Sequence, residues 1–313
     1  ATIRVAMDKN IKCAMHGNGY LKRKQYSADL IHQEALNWIE QQTDNQPFYG
    51  LFTYTLPHAE LVQPNDKLLK RYKRLFKPDK TYAGDNGSRY NAINHTHAQF
   101  AAMVSRLDAY VGEILAKLEE KGFSENTLVI FSSDNGPHEE GGADPYFFNR
   151  DGLLRGLKRQ THEGGIRVPF IAYWKGKIPS GRVNETPIAF WDILPTFCDI
   201  LGDENYPNNY LNPNKKDDCF DGISFKNTLL GNDENQEKHD FLYWEFNETN
   251  QIAVRQGDWK LIVKNGVCHL YNLSLDLHED NDVANQYPNI VEKLKQIVYE
   301  QHSPSPHFNV TLP

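Results

Sequence analysis

Apolar positions in this chain recur with two periods, and the switches between them mark out its elements. From Tyr26 to Gln42 the residues Leu30, Ile31, Leu36, Trp38 and Ile39 fall at helical spacing, with Ser27 placed to cap the start. Phe48 to Leu56 is a β-rich run that stops at Pro57-His58. Residues 60–95 are polar, with Pro64, Pro78 and a Gly84-Asp-Asn-Gly87 turn signal, and read as a surface excursion. From His97 to Lys121 the spacing of Phe100, Met103, Val104, Leu107, Val111, Ile114, Leu115 and Leu118 predicts a helix, which Gly122 ends. Thr127 to Ser133 and Val168 to Trp174 read as strands, separated by a long polar, glycine-rich segment over 134–166. Thr186 to Leu201 is an apolar helical pattern that Pro195 should kink or break. Residues 203–218 read as a connector.

Past about residue 236 the pattern shifts to short strands: Phe241–Phe246, Gln251–Arg255, Trp259–Lys264 and Val267–Leu273, with Asn265-Gly266 a strong hairpin signal. A last helix follows from Ile290 to Gln301. Helices alternating with continuously apolar strands predict an α/β fold, a mainly parallel sheet covered on both faces. We therefore expect an α/β domain over residues 1–235 and a small antiparallel sheet with one helix over 236–313.

Composition narrows the function. The chain has 313 residues, 39% hydrophobic and 24% charged, which is ordinary for a folded protein. A net charge of −7 argues against nucleic acid or an anionic membrane as the main partner. No apolar run approaches the roughly 20 residues that span a bilayer. The chain starts at Ala1 without a signal-peptide pattern, so we expect a processed or truncated product. The four cysteines form no C-x-x-C pair. Cys198 lies in an apolar helix and reads as a buried thiol, while Cys219 and Cys268 are free to pair or not.

The chemistry gathers at strand ends. Ligands in such sheets bind at the carboxyl ends of strands. That rule gives His58 and Asp134-Asn135 one location, with Lys158 reaching the same edge from the basic loop before the next strand, which also carries His162. Asp-Asn-Gly is also an ordinary turn. Here the preceding strand is uniformly apolar and no return strand follows at once, which favours a site. A carboxylate and an amide oxygen suit Ca²⁺, or Mg²⁺, rather than zinc, and are too few to hold an ion alone. His138, Glu139, Glu140 and Asp144 could line a pocket or merely solvate a loop. His95 and His97 at a helix start read as surface or capping groups.

Thr127-Leu-Val-Ile-Phe-Ser-Ser-Asp-Asn-Gly-Pro137, then Leu154-Arg-Gly-Leu-Lys158 and Glu163-Gly-Gly-Ile-Arg-Val-Pro169, resemble the type I sulfatases of the alkaline-phosphatase-like superfamily. Trp191-Asp-Ile-Leu-Pro-Thr196, Gly257-Asp-Trp-Lys-Leu261 and Leu270-Tyr-Asn-Leu-Ser274 extend the resemblance along most of the chain. It implies hydrolysis of a sulfate monoester, of a carbohydrate in bacterial glycan sulfatases, by a formylglycine nucleophile beside Ca²⁺. By motif, Asp134 and Asn135 would be metal ligands. Lys158 would neutralise charge on the sulfate, and His58 would bind it or protonate the leaving group. His138, Glu139, Asp144, Asn149, Arg155 and His162 would be candidates for recognising the sugar. The family's Pro-His-x-Pro reads Pro57-His58-Ala-Glu60 here, and its C/S-x-P-S-R nucleophile motif does not occur. The expectation is a fold incomplete at the amino terminus, a half-supplied calcium site, and no activity from this chain alone. The resemblance also implies a periplasmic or secreted protein, or a lysosomal one in a eukaryote. Two other functions fit the same residues: a phosphomonoester or phosphonate hydrolase of the superfamily, and a non-catalytic sulfoglycan-binding protein.

Overall fold

A computed structural model describes residues 2–4, 12–14, 24–85, 89–148, 152, 154–203 and 221–313. The chain forms two compact units, Ala1–Ser124 with His138–Arg150, and Glu125–Pro137 with Asp151–Pro313.

The first unit contains β1 (Thr2–Arg4) antiparallel to β2 (Lys12–Ala14), helices α1 (Ser27–Glu40) and α2 (Lys67–Leu75), the short pair β3 (Thr81–Tyr82) and β4 (Ile93–Asn94), and the long helix α3 (Thr96–Glu120). α3 keeps its expected span and buries Ala98, Ala102, Met103, Tyr110, Ile114 and Leu118. It ends as the glycine predicted. Gly122 takes φ 75, its N–H donates to Glu119 O at 3.0 Å, and Phe123 N–H donates to Leu118 O at 2.8 Å. These paired bonds close the last turn with a left-handed residue.

α1 is shifted from expectation. Tyr26 stands at its N-cap without a side-chain bond, and Ser27 is already helical. The buried stripe is Ala28, His32, Ala35 and Ile39, whereas Ile31 is exposed. Two small alanines and a histidine carry little hydropathy, so the pattern underweighted the face they form. His32 is held there, with Nδ1 2.7 Å from Tyr54 OH and its ring stacked on Tyr110 at 4.1 Å. Residues 48–56, expected as a strand, form no ladder among the described residues; Phe48 and Phe52 pack edge-on against Trp38.

The second unit opens with β5 (Val129–Ser132), which pairs antiparallel with β6 (Phe170–Tyr173). Every strand pair among the described residues is antiparallel, so the expected parallel sheet is not found there. Uniform apolarity carries no strand direction, and in β6 it does not mean two covered faces, since Ile171 and Tyr173 are exposed. Between the two strands lie α4 (Pro145–Phe148), within the first unit, and α5 (Glu163–Ile166). Pro195 does not kink its helix. α6 (Ile193–Leu201) simply starts late enough to hold Pro195 in its first turn, where the missing N–H costs no bond. The connector's residues 204–218 and Cys219 lie outside the described residues; Cys198 is a buried free thiol.

After α7 (Lys226–Leu230) comes a meander of β7 (Leu242–Phe246), β8 (Gln251–Gln256), β9 (Trp259–Lys264) and β10 (Val267–Asn272), closed by α8 (Pro288–Gln301). Asn265 and Gly266, at φ 51 and 80, turn β9 into β10, as their sequence requires. One face of the sheet packs Ile252, Val254, Leu261, Val263 and Leu270 against Leu294, Ile297 and Val298 of α8. The other face is covered by the loop that precedes β6.

Candidate active site

Asp134 and Asn135 stand just past the end of β5, the first exposed and the second half-buried. Asn135 Nδ2 donates to Gly136 O at 2.9 Å, which occupies the amide nitrogen and reserves the amide oxygen as its acceptor. The lysine loop is bonded directly to this turn. Gly136 N–H donates to Gly165 O at 3.0 Å, and Lys158 N–H donates to Pro137 O at 2.8 Å. The glycines make that contact possible, since a β-carbon on Gly136 would lie 1.9 Å from Gly164 O, and one on Gly165 would lie 2.0 Å from Gln160 O. In the fold they let backbone approach backbone.

The same loop is clamped to the carboxyl-terminal sheet. Thr161 donates to Gln251 Oε1 through N–H at 3.0 Å and Oγ1–H at 2.9 Å. Glu163 is buried; Lys260 Nζ donates to its Oε1 at 2.8 Å and Arg255 Nη1 to its Oε2 at 3.4 Å. Glu279 completes the cluster. Its Oε2 accepts Glu163 N–H at 2.7 Å, and its Oε1 meets Lys260 Nζ at 3.0 Å as an ion pair without hydrogen-bond alignment. Burial holds the Glu279 carboxyl above the usual carboxylate range, against the pull of Lys260.

His58 belongs to the first unit. Its ring stacks on buried His138 at 5.2 Å, with Glu140 Oε2 3.4 Å from His58 Nε2. Its Nδ1 lies 2.8 Å from Ala59 O. His138 Nδ1 accepts Glu140 N–H at 3.2 Å, which leaves Nε2–H to face Pro57 O at 3.3 Å.

The other expected site residues are dispersed. Glu139 is exposed, and Asn149 lies outside the described residues. Asp144 accepts from Lys80 Nζ at 2.9 Å and lies 3.3 Å from His97 Nε2. His97, expected on the surface, is instead buried, stacked on Phe147 at 3.7 Å; its neighbour Asp79 neutralises the helix start by accepting the His97 and Ala98 N–H groups. Arg155 Nη1 donates to Glu279 O at 2.6 Å. His162 packs against the sheet, 6.2 Å from the Tyr271 ring; burial, with help from Arg155, Lys260, Lys264 and His269, pushes it down to about 4. Among the described residues no three His, Cys, Asp or Glu side chains gather to hold a metal. The parts that sequence reasoning missed are Lys260 and Glu279. A lone lysine followed by Leu261-Ile-Val263 was the available signal for the first.

The family model described as Sulfatase matches residues 3–203, more than half the chain, and the chain belongs to the sulfatase family. It is 38% identical over 257 residues to an arylsulfatase of Hemicentrotus pulcherrimus, covering 80% of this chain and 38% of that one. It is 28% identical over 218 residues to an N-acetylgalactosamine-6-O-sulfatase of Bacteroides thetaiotaomicron, covering 63% of this chain and 40% of that one. The chain thus spans less than half the length of these relatives. The solved structure of Ps i-CgsB in complex with k-i-k-neocarrahexaose superposes with a TM-score of 0.69 at 24% identity, over 90% of this chain and 56% of that one. That likeness establishes the alkaline-phosphatase-like α/β fold.

Proposed function

We propose that this chain carries part of the active site of a calcium-dependent sulfatase acting on sulfate monoesters of carbohydrates. The observation that carries the reading is the direct bonding of the lysine loop to the Asp134-Asn135 turn, through Gly136 to Gly165 and Lys158 to Pro137. It ties the backbone of a cationic residue to that of two hard oxygen donors within one unit. An exposed carboxylate and an amide whose nitrogen is already bonded fit Ca²⁺ as part of an oxygen shell, and two such donors are too few to hold the ion alone. Ca²⁺ would polarise the sulfate oxygens, and a formylglycine, for which these 313 residues hold no motif, would supply the nucleophile.

The chain's own groups take defined parts. Lys158 meets negative charge on the sulfate with an ammonium carried on a backbone that is bonded to Pro137. His58 holds a proton at Nε2 for the leaving oxygen. Its Nδ1 faces Ala59 O at 2.8 Å, and Glu140 Oε2 stands 3.4 Å from Nε2. The relative named as an N-acetylgalactosamine-6-O-sulfatase supports a sugar substrate. On this reading Glu139 and Arg155, both exposed, are candidates for sugar hydroxyls, and the protein works in the periplasm or outside the cell. No helix among the described residues is long and apolar enough to cross a membrane.

The test is sulfate release by the complete protein from 4-nitrophenyl sulfate and a sulfated monosaccharide. Lys158→Ala should lower kcat/KM by roughly 10²–10³. Hydrolysis of phosphate or phosphonate esters in place of sulfate esters would move the protein to the sister chemistry. Tight sulfoglycan binding without turnover would make it a binding protein.

A further inference from the structure

Glu279 grips the segment 155–163 at both ends. Its carbonyl accepts Arg155 Nη1 at 2.6 Å, and its carboxylate accepts Glu163 N–H at 2.7 Å. Lys158 lies between the grips. Glu279 itself sits at φ 60, a left-handed conformation that glutamate adopts only when its surroundings impose it. Lys260, fully buried in β9, bridges the carboxylates of Glu163 and Glu279 at 2.8 and 3.0 Å.

A buried cluster of this kind is a poor way to add stability. Each ion loses several kcal/mol of hydration, and well-packed apolar residues often serve as well or better. Its distinctive property is geometric, because each charge has one place to go. Here both the N–H and the carboxylate of residue 163 are fixed, and Gln251 adds a third hold at Thr161. A displacement of about 1 Å in a catalytic group can cost on the order of 10²-fold in rate.

We propose that Glu279 and Lys260, from the carboxyl-terminal sheet region, are positioning residues for Lys158. They set where the lysine stands relative to the Asp134-Asn135 turn. The proposal rests on the reading of Lys158 as the group that meets the sulfate, and its test separates the two.

In the complete protein, amide exchange is followed at Lys158, Gly164 and Gly165 and compared with Ile252 and Leu261 in the sheet. kcat and KM for 4-nitrophenyl sulfate are measured alongside. Glu279→Ala should speed exchange in the loop by at least roughly tenfold and leave the sheet unchanged. It should lower kcat by roughly 10–10²-fold with little change in KM. Glu279→Gln, which keeps an oxygen for the Glu163 N–H, should restore most of both. Arg155→Met, which releases the other grip without unpairing a buried charge, should also speed loop exchange. It decides the matter if Glu279→Ala does not fold. Unchanged loop exchange overturns the proposal, as does a loosened loop with unchanged kcat, or loss of protection across the whole sheet. If the complete protein releases no sulfate, the functional reading fails, and the exchange data alone decide whether the anchor exists.

Discussion

Gly136 and Gly164 touch through their backbones, so that a β-carbon on the first would come within 1.9 Å of the second's carbonyl oxygen. The bond from Gly136 N–H to Gly165 O depends on that approach. Gly136→Ala should therefore part the turn from the lysine loop. We expect a loss of about 1–3 kcal/mol, the usual cost of overpacking, read as a lower urea midpoint, together with reduced sulfate release. A midpoint equal to that of the unchanged protein would mean that the loop yields freely.

His58 and Glu140 should act as one unit. His58→Ala is expected to cost roughly 10²–10⁴ in kcat, and Glu140→Gln about tenfold. The double variant should be no slower than His58→Ala alone, because removing the ring leaves Glu140 nothing to support. Additive losses in this cycle would show that Glu140 acts elsewhere.

His162 makes stability depend on pH in one direction. Its folded value is pushed down to about 4 from 6.5. Above 6.5 the ring is neutral whether the chain is folded or not. As pH falls from there toward 4, the unfolded chain takes up a proton that the folded one refuses, and stability is lost. His162→Gln removes this contribution. The gap between wild-type and variant urea midpoints should thus shift against wild type between about pH 7 and about pH 4.5. A constant gap would place the ring in a more hydrated setting.

Chelation should abolish sulfate release, and Ca²⁺ rather than Zn²⁺ should restore it, as oxygen ligands require. Asp134→Ala should raise the Ca²⁺ concentration for half-maximal activity by at least roughly tenfold, the lower bound known for more remote supporting groups. Activity that survives prolonged chelation would remove the metal from the site.

Much of this architecture can be read from neighbours in sequence. α3 is legible because its apolar spacing runs for seven turns and a glycine ends it, and the β9–β10 turn because Asn265-Gly266 fits few other backbones. Strand direction is not legible in β5 and β6, since a continuously apolar run has the same composition in either direction. The Asp134, Asn135 and Lys158 cluster was visible as motif. Its support was not, because Glu163 meets Lys260 and Glu279 across 97 and 116 residues. A lysine or glutamate in isolation reads as solvated surface, and only a distant partner can bring it inside.

The separation between Glu163 and Lys260 also has a meaning in time. When Glu163 is joined to the growing chain, the lysine that neutralises it is 97 residues away from being made. At synthesis rates of about 5–20 residues per second, the glutamate waits roughly 5–20 s for its counter-charge, and longer for Glu279. The lysine loop can settle only after β9 and Glu279 have been made, so its assembly trails its own synthesis.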